Sequence, residues 1–404
     1  MKGRIVSSTL GHRTSESGQP ASQNGHFDFA PLTRVVYGAG TIDRLGALAV
    51  ELGATRVLLV TDAHLVAVGH AARAAASLRA AGLAFAQFDH AEENPTTRNV
   101  GECADFGRSE RIDLIVGLGG GSAMDCAKGC NFLLTNGGKI QDYWGVGKAT
   151  RPMLPLIAVP TTAGTGSEAQ SFALIADNTT HQKMACGDKK ASARISILDP
   201  ELTLTMPSSV TAATGIDAIS HAVETYVSTR RNAVSQLYSR EAWRLLNSNF
   251  ETVLHQPDNI DARGAMLLGA NFAGSAIENS MLGATHACAN PVTAHLDIPH
   301  GVAIGILLPS VVRFNGPVAG PAYAELVGDV PPGTASSADA AERLAARIEE
   351  FIARSGQPQR LSQCGLDRDL IPRLAEEAAQ QWTGKFNPRP IAVSDFIEVY
   401  QCAY

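Results

Sequence analysis

The run Ile115-Val-Gly-Leu-Gly-Gly-Gly-Ser-Ala-Met-Asp-Cys-Ala-Lys128 constrains this chain more than any other. An apolar segment, three consecutive glycines and a helix-capping residue follow one another without a gap. The order reads as a buried strand, a tight turn and a helix start. Gly119, Gly120 and Gly121 leave backbone N–H groups open to a phosphate, Ser122 can cap the helix and donate a further hydrogen bond, and the helix N-terminus favours the anion. The same turn would also serve to join strand to helix with no ligand. Its spelling is neither G-x-G-x-x-G nor a loop ending in GK[ST], so the commonest nucleotide folds gain little from it.

Around this turn, strand-like segments at 56–62, 85–88, 112–118 and 156–159 alternate with helix-like segments at 71–81, 99–110 and from Ser122 onward. That spacing predicts an α/β unit, a parallel sheet with crossover helices. From Ser208 the pattern changes to long helical segments at 210–228, 233–250, 262–277, 338–355 and 367–381, with Ser208 and Ser209 as expected N-caps of the first. The expected organisation is a flexible tail over 1–26, an α/β domain over 27–206 and a mostly α domain over 207–404. No internal repeat appears at periods of about 20–50 residues.

Composition sets the outer bounds. A chain of 404 residues has room for two or three domains at about 150 residues each. With 33 Lys+Arg against 39 Asp+Glu, the net charge of −6 gives no basic field for nucleic acid. The longest nearly uninterrupted apolar run, 302–312, contains Gly, Pro and Ser and is too short to span a bilayer, so no membrane partner is expected either. Seven cysteines, an odd number at irregular spacing, do not read as a disulfide framework, and Cys126 and Cys130 read as helix packing. The run after Met1 is broken by Arg4, Ser7 and Ser8, leaving no compact signal, so the expected location is the reducing cytoplasm.

Two further groups of residues carry chemistry. Pro160-Thr-Thr-Ala-Gly-Thr-Gly-Ser167 places four hydroxyls and two glycines in eight residues after a strand, suited to hydrogen-bonding ribose, phosphate or carboxamide. Asp62, at another strand end, suits a ribose hydroxyl and would repel a 2′-phosphate. Asp217 and His221 stand at i and i+4 on one helical face, and His286 and His300 follow beside small residues. One carboxylate and three imidazoles suit Fe²⁺ or Zn²⁺ rather than Mg²⁺ or Ca²⁺. For each histidine taken singly, a satisfied core or surface position is the plainer reading.

Taken together, GGGSxxDxxK, PTTxGTGSE, D-A-x-x-H and the later H…PHG pair resemble the iron-dependent (group III) alcohol dehydrogenases, a family that includes lactaldehyde reductase. The resemblance runs from about Phe29 to the C-terminus and takes in Asn387-Pro-Arg-Pro390. It implies a dehydroquinate synthase-like fold, with an N-terminal parallel-sheet nucleotide-binding domain, an all-α metal-binding domain and a cleft between them. It implies Asp217, His221, His286 and His300 as ligands of Fe²⁺, or alternatively Zn²⁺. Gly119, Gly120, Gly121 and Ser122 would meet the pyrophosphate of NAD, with Asn94 and Asp125 also on the cofactor. Thr161, Thr162 and Thr165 would lie along the nicotinamide, Lys183 would reach the ribose, and Asp62 would favour NAD over NADP. The implied reaction interconverts a small alcohol and its aldehyde with NAD(H), in a homodimer or higher homo-oligomer.

One departure bears on proton transfer. The family commonly reads H-x-x-x-H where this chain has His286-Ala-Cys-Ala-Asn290, and Asn290 cannot titrate near neutral pH. His295, a water chain or a ribose hydroxyl would then take over, unless His295 is simply a helix-end residue. Glu278, Asn279 and Met281 are candidate pocket residues. Two other functions fit the same scaffold. A lyase like dehydroquinate synthase would need a Lys/Arg cluster for a phosphorylated substrate, and the motifs hold none. A non-catalytic subunit would have no need of the intact four-ligand set.

Overall fold

The computed structural model describes residues 27–180, 182–328 and 337–404; the tail expected over 1–26 lies outside the described residues. The first half runs β1 (Arg34–Tyr37), α1 (Leu45–Glu51), β2 (Arg56–Val60), α2 (Ala63–Ala67), α3 (His70–Ala80), β3 (Ala84–Phe88), α4 (Thr97–Ser109), β4 (Leu114–Gly119) and α5 (Gly121–Asn136). It continues through β5 (Gly145–Val146), β6 (Leu156–Pro160), β7 (Phe172–Ala176), β8 (Lys183–Gly187) and β9 (Ile195–Leu198).

Six strands form an all-parallel sheet in the order β1-β9-β6-β4-β2-β3. Alternation along the central strands β2, β4 and β6 feeds two separate cores. Leu58, Val60 and Ile115 point into one layer, while Val57, Leu59, Val116 and Val159 point into the other. Burial on both faces is what a parallel sheet with crossover helices requires, and it explains why these strands are continuous apolar runs. Because the strands are parallel, the ends of β2, β4 and β6 open at one edge, where Asp62, Gly119 and Thr161 lie.

A second sheet, β5-β8-β7, pairs β7 and β8 antiparallel. The sequence pattern marks no strand here, although Phe172–Ala176 is an apolar run, because both β7 and β8 are only five residues long and no helix lies between them.

The second half is helical: α6 (Ser208–Val227), α7 (Ala233–His255), α8 (Ile260–Asn279), α9 (Ala284–Leu296), α10 (His300–Val327), α11 (Ser337–Ser355), α12 (Ile371–Gln380) and α13 (Val393–Ala403). These share one core. Every residue of α6 from Gly215 to Val227 is buried, so α6 runs through the middle with no solvent face. Ser208 and Ser209 do not cap it. They are its first two helical residues, after Pro207 at the N-cap, and no side chain caps this end.

The reading of 302–312 as a short apolar run also changes. It belongs to α10, a 28-residue helix whose most apolar stretch has a mean hydropathy of 1.5, which makes it long and apolar enough to cross a membrane by length and composition. Pro309, Pro317 and Pro321 lie inside it and make the sequence look interrupted. In its most apolar stretch 67% is buried, against α6, α9, α11 and α13, as in the core helix of a folded domain.

Candidate active site

The two halves meet on the loop after β6. A Cβ on Gly164 would stand 2.6 Å from Cβ of Thr214 on α6, and one on Gly166 would stand 2.7 Å from the Ala270 carbonyl and from Gly274 Cα on α8. Only glycine allows the loop that close. Beyond it, Asn271 Nδ2 of α8 donates to Glu168 Oε1 at 2.9 Å, and the Ser171 hydroxyl donates to Glu278 Oε1 at 2.8 Å. Lys128, fully buried on α5, donates from Nζ to the Ser167 carbonyl at 2.6 Å, to its hydroxyl at 2.9 Å and to the Phe172 carbonyl at 2.9 Å. The glycine turn and the helices bearing Asp217 and His286 are thereby held in one framework.

On the helical side, Asp217, His221 and His286 bring ligand atoms within 4.8 Å of one another, all three residues buried. His221 Nε2 lies 3.1 Å from His286 Nε2, and the two are 3.4 and 3.6 Å from Asp217 Oδ1. Asp217 Oδ1 has no hydrogen-bond partner, although it is buried. Two imidazole nitrogens face to face beside a bare carboxylate oxygen need a positive centre among them, a proton or a cation. The donor set therefore fits a divalent metal. His300, the first residue of α10, stands alongside, its ring centre 5.4 Å from that of His286. The structure thus converges three of the four expected ligands and places the fourth next to them.

Electrostatics agree. Burial favours the neutral acid, yet the imidazoles of His221, His286 and His300 hold the Asp217 carboxyl well below its ordinary range. Burial also opposes charge on His286, but the Asp217 carboxylate 3.6 Å away and the Glu224 carboxylate bonded to its Nδ1 outweigh it and push that imidazole up to about 9. His300, only half-buried but crowded by protein atoms and with fewer carboxylates around it, is pulled down to about 3.

Glu224 is a residue the motif reading missed. Its Oε2 lies 2.6 Å from His286 Nδ1, and its Oε1 accepts the Thr285 backbone N–H at 2.7 Å. A signal was present: Asp217, His221 and Glu224 fall at i, i+4 and i+7, one stripe of α6.

On the sheet side, the glycine turn packs against the threonine loop. A Cβ on Gly121 would lie 2.9 Å from the Thr165 side chain, and one on Gly120 would lie 3.4 Å from that of Thr162. The Thr161 backbone N–H donates to the Gly119 carbonyl at 3.0 Å. Gly119 itself sits at φ +152°, open only to glycine. The N-cap of α5 is Gly120 and no side chain caps it, so the first-turn N–H groups face the cleft unclaimed. Ser122 was expected as the cap. Instead its hydroxyl accepts the Asn94 backbone N–H at 3.2 Å, tying the turn to the β3–α4 connection. Uncapped donors beside small residues fit the pyrophosphate of a dinucleotide.

Lys183 reaches the same place from β8, its Nζ donating to Asn94 Oδ1 at 3.2 Å. The crowding of protein atoms in the cleft lowers its basicity, and the carboxylates of Asp125, Asp217 and Glu93 push the other way. Asp125 lies under the turn, accepting from the Ser167 hydroxyl at 2.9 Å, and burial raises its pKa. It supports the loop from beneath. Asp62 accepts the Leu65 N–H at 3.0 Å with Oδ1, and its Oδ2 stands 3.7 Å from where a Cβ on Gly119 would be.

The expected proton-transfer group does not come to the site. His295 is nine residues beyond His286 on α9, which is about 180° around the helix and roughly 13 Å along it. Its Nε2 meets Glu377 of α12 at 2.9 Å. Asn290 stays on the His286 side and donates to Gln381 Oε1 at 3.0 Å. Of the three pocket candidates, Glu278 is spent on Ser171 and Asn279 on the Ser275 carbonyl, while Met281, at φ +148°, is buried. They line a separate groove of about 710 Å³ with Phe27 and Tyr238.

A parallel sheet with an uncapped glycine turn, facing a helical half with a carboxylate–imidazole cluster, defines a dinucleotide- and metal-dependent oxidoreductase. The chain belongs to the iron-containing alcohol dehydrogenase family: the model described as "Iron-containing alcohol dehydrogenase" matches residues 32–200, and the one described as "Fe-containing alcohol dehydrogenase family, C-terminal" matches residues 211–404. It is 34% identical over 378 residues to the NAD-dependent methanol dehydrogenase of Bacillus methanolicus, covering 93% of this chain and 99% of that one. It is 35% identical over 383 residues to the 1,3-propanediol dehydrogenase of Klebsiella pneumoniae, covering 94% and 99%. A crystal structure of 1,3-propanediol oxidoreductase superimposes with a TM-score of 0.91 at 34% identity, over 94% of this chain and 100% of that one. The activity is that of an NAD-dependent alcohol dehydrogenase, and neither the lyase nor the non-catalytic alternative is favoured.

Proposed function

We propose that this chain interconverts small primary alcohols and their aldehydes at an iron site held by Asp217, His221, His286 and His300. Zn²⁺ is the second metal the donor set suits. The observation that carries this reading is the convergence of the Asp217, His221 and His286 donor atoms within 4.8 Å. The substrates named for the relatives, methanol and 1,3-propanediol, point to primary alcohols as the starting panel.

When bound, the cation would supply Lewis acidity toward a substrate oxygen and the nicotinamide would exchange hydride. The chain's own residues do the rest. Asp217 keeps a negative charge among the imidazoles, and Glu224 orients His286. Lys183 and Asn94 offer polar groups to a ribose beside the open N-terminus of α5, and Thr162 and Thr165 lie against that turn. Exchange of the substrate proton runs through water or a ribose hydroxyl, since His295 faces α12 and Asn290 holds Gln381.

We further propose a homodimer or higher homo-oligomer working in the cytoplasm. The described cysteines are all free thiols, which suits a reducing compartment.

The test is the fall in NADH absorbance with a panel of aldehydes after loading with Fe²⁺ or Zn²⁺. His286→Ala and His300→Ala should lose bound metal together with turnover. A metal-free His286→Ala protein with wild-type turnover would overturn the assignment.

A further inference from the structure

The small sheet has two unlike faces. Strand register puts Ala173, Ile175, Met184 and Cys186 on one side, all buried in the core. The other side carries Lys183, Ala185, Leu174, Phe172 and, through its pairing with Gly187, Val146. Val146 is 70% exposed and Leu174 38% exposed. This outward face begins in the active cleft, because Lys183 lies on it and its ammonium is bonded to Asn94 beside the glycine turn. From Lys183 to Gly187 it extends about 13 Å with no other charged side chain on β8.

Its far end is closed by an aromatic pair. The Phe172 ring lies flat over Gly187, where an added Cβ would come within 2.4 Å of it. Trp382, from the helical half, stacks on Phe172 at a centroid distance of 6.0 Å and an interplanar angle of 28°. Trp382 follows Gln381, the partner of Asn290, which is one helical turn beyond His286. The apolar wall is therefore tied to the cofactor side through Lys183 and to the metal side through Gln381, and Trp382 remains 39% exposed.

We propose that this wall seats the tail of the substrate, so that the enzyme prefers primary alcohols with an extended apolar chain over short or polar-tailed ones. The proposal rests on the alcohol dehydrogenase reading above and adds to it a substrate class. Polar diol tails would find no hydrogen-bond partner along Ala185, Leu174 and Phe172, whereas each methylene laid on them leaves water.

The experiment compares kcat/KM for the straight-chain series ethanol to 1-octanol, with 1,3-propanediol as the polar control. Wild type should gain about threefold to fourfold per added methylene while the tail is in contact with the wall. In Phe172→Ala and Trp382→Ala the ratio of 1-octanol to ethanol should fall at least about tenfold, and Trp382→Phe should keep most of it. As a readout independent of turnover, tryptophan emission should change on adding 1-octanol but not 1,3-propanediol, and the change should vanish in Trp382→Phe. Good turnover with a flat series, or an unchanged ratio in both alanine variants, overturns the wall alone. No turnover on any alcohol overturns the alcohol dehydrogenase reading as well.

Discussion

Glu224 Oε2 stands 2.6 Å behind Nδ1 of His286, on the side of the ring away from Asp217 and His221. A carboxylate there holds the proton on Nδ1 and leaves Nε2 as the lone-pair nitrogen aimed at the ligand cluster. Its second oxygen accepts the Thr285 N–H at 2.7 Å, and Asn387 accepts that of Ala284 at 3.3 Å. Gly283, the N-cap of α9, makes no side-chain cap of its own. One carboxylate thus sets both the tautomer of His286 and the seating of the helix that carries it.

In Glu224→Gln the amide can still accept from Thr285, but its NH₂ would face Nδ1 and favour the tautomer with the proton on Nε2. Metal affinity, read by chelator competition, should fall by about 10- to 100-fold while the circular dichroism spectrum is kept. Glu224→Ala leaves the Thr285 N–H buried and unpaired, and should add a stability loss of about 1–3 kcal/mol in thermal unfolding. Wild-type metal affinity in the glutamine variant would remove Glu224 from this role.

Metal uptake should release a proton. Carboxylates on both sides push His286 up to about 9 against the effect of burial, so below that pH the metal-free protein holds the imidazolium. Binding needs the free Nε2 lone pair. Affinity should therefore rise with pH, by about tenfold per unit in the neutral range, and level off above about pH 9. Calorimetric titration at about pH 7.5 in two buffers of different ionisation enthalpy should show about one proton released per metal. A value near zero contradicts the charge state assigned to His286.

Much of this architecture is legible because buried parallel strands are written as unbroken apolar runs, as in Val57–Val60 and Leu114–Val116, and because Gly119 to Ser122 join strand to helix directly. β7 and β8 are less so: Phe172–Ala176 is apolar throughout, but it is only five residues long and no helix separates it from β8, so the strand–helix alternation does not mark it. α10 hides behind three prolines. At the site, motif spacing finds the ligands, but what each glycine is for depends on tertiary neighbours: Gly121 is required by Thr165, and Gly166 by Gly274. The placement of His295 was within reach of helical geometry. Nine residues from His286 is half a turn out of phase, and once α9 is known to be one helix the two imidazoles cannot share a site.

Gly121→Ala tests the loop contact. The new Cβ would press on Thr165 at 2.9 Å, an overpacking that costs about 1–3 kcal/mol, and part of it should appear as NADH affinity weakened about tenfold by fluorescence titration. Adding Thr165→Ala removes the colliding atoms and should recover part of the loss, a coupling between neighbours that a double-mutant cycle measures. If the two effects simply add, the glycine is not there for the threonine.

His295→Ala should leave turnover and its pH profile as in wild type. The imidazole pairs with Glu377, and both side chains are partly exposed at 22% and 33%, so its loss should cost at most about 1 kcal/mol in unfolding. A lost limb in the pH profile of kcat would return His295 to the proton path.

Asp62 should decide between NAD and NADP. Its Oδ1 is occupied in capping α2 through Leu65, whereas Oδ2 faces the Gly119 turn, 3.7 Å from where a Cβ on Gly119 would be. Asp62→Asn keeps an oxygen for the cap, so the helix should form as before, and removes the charge that a 2′-phosphate would meet. The ratio of kcat/KM for NADP over NAD should rise about tenfold or more, equivalent to roughly 1.4 kcal/mol between the two cofactors. Because the cap is retained, the thermal midpoint should stay close to wild type, so a change in cofactor ratio is read without a change in fold. An unchanged ratio would mean that the ribose lies away from β2, and that the acidic strand end serves only the helix that follows it.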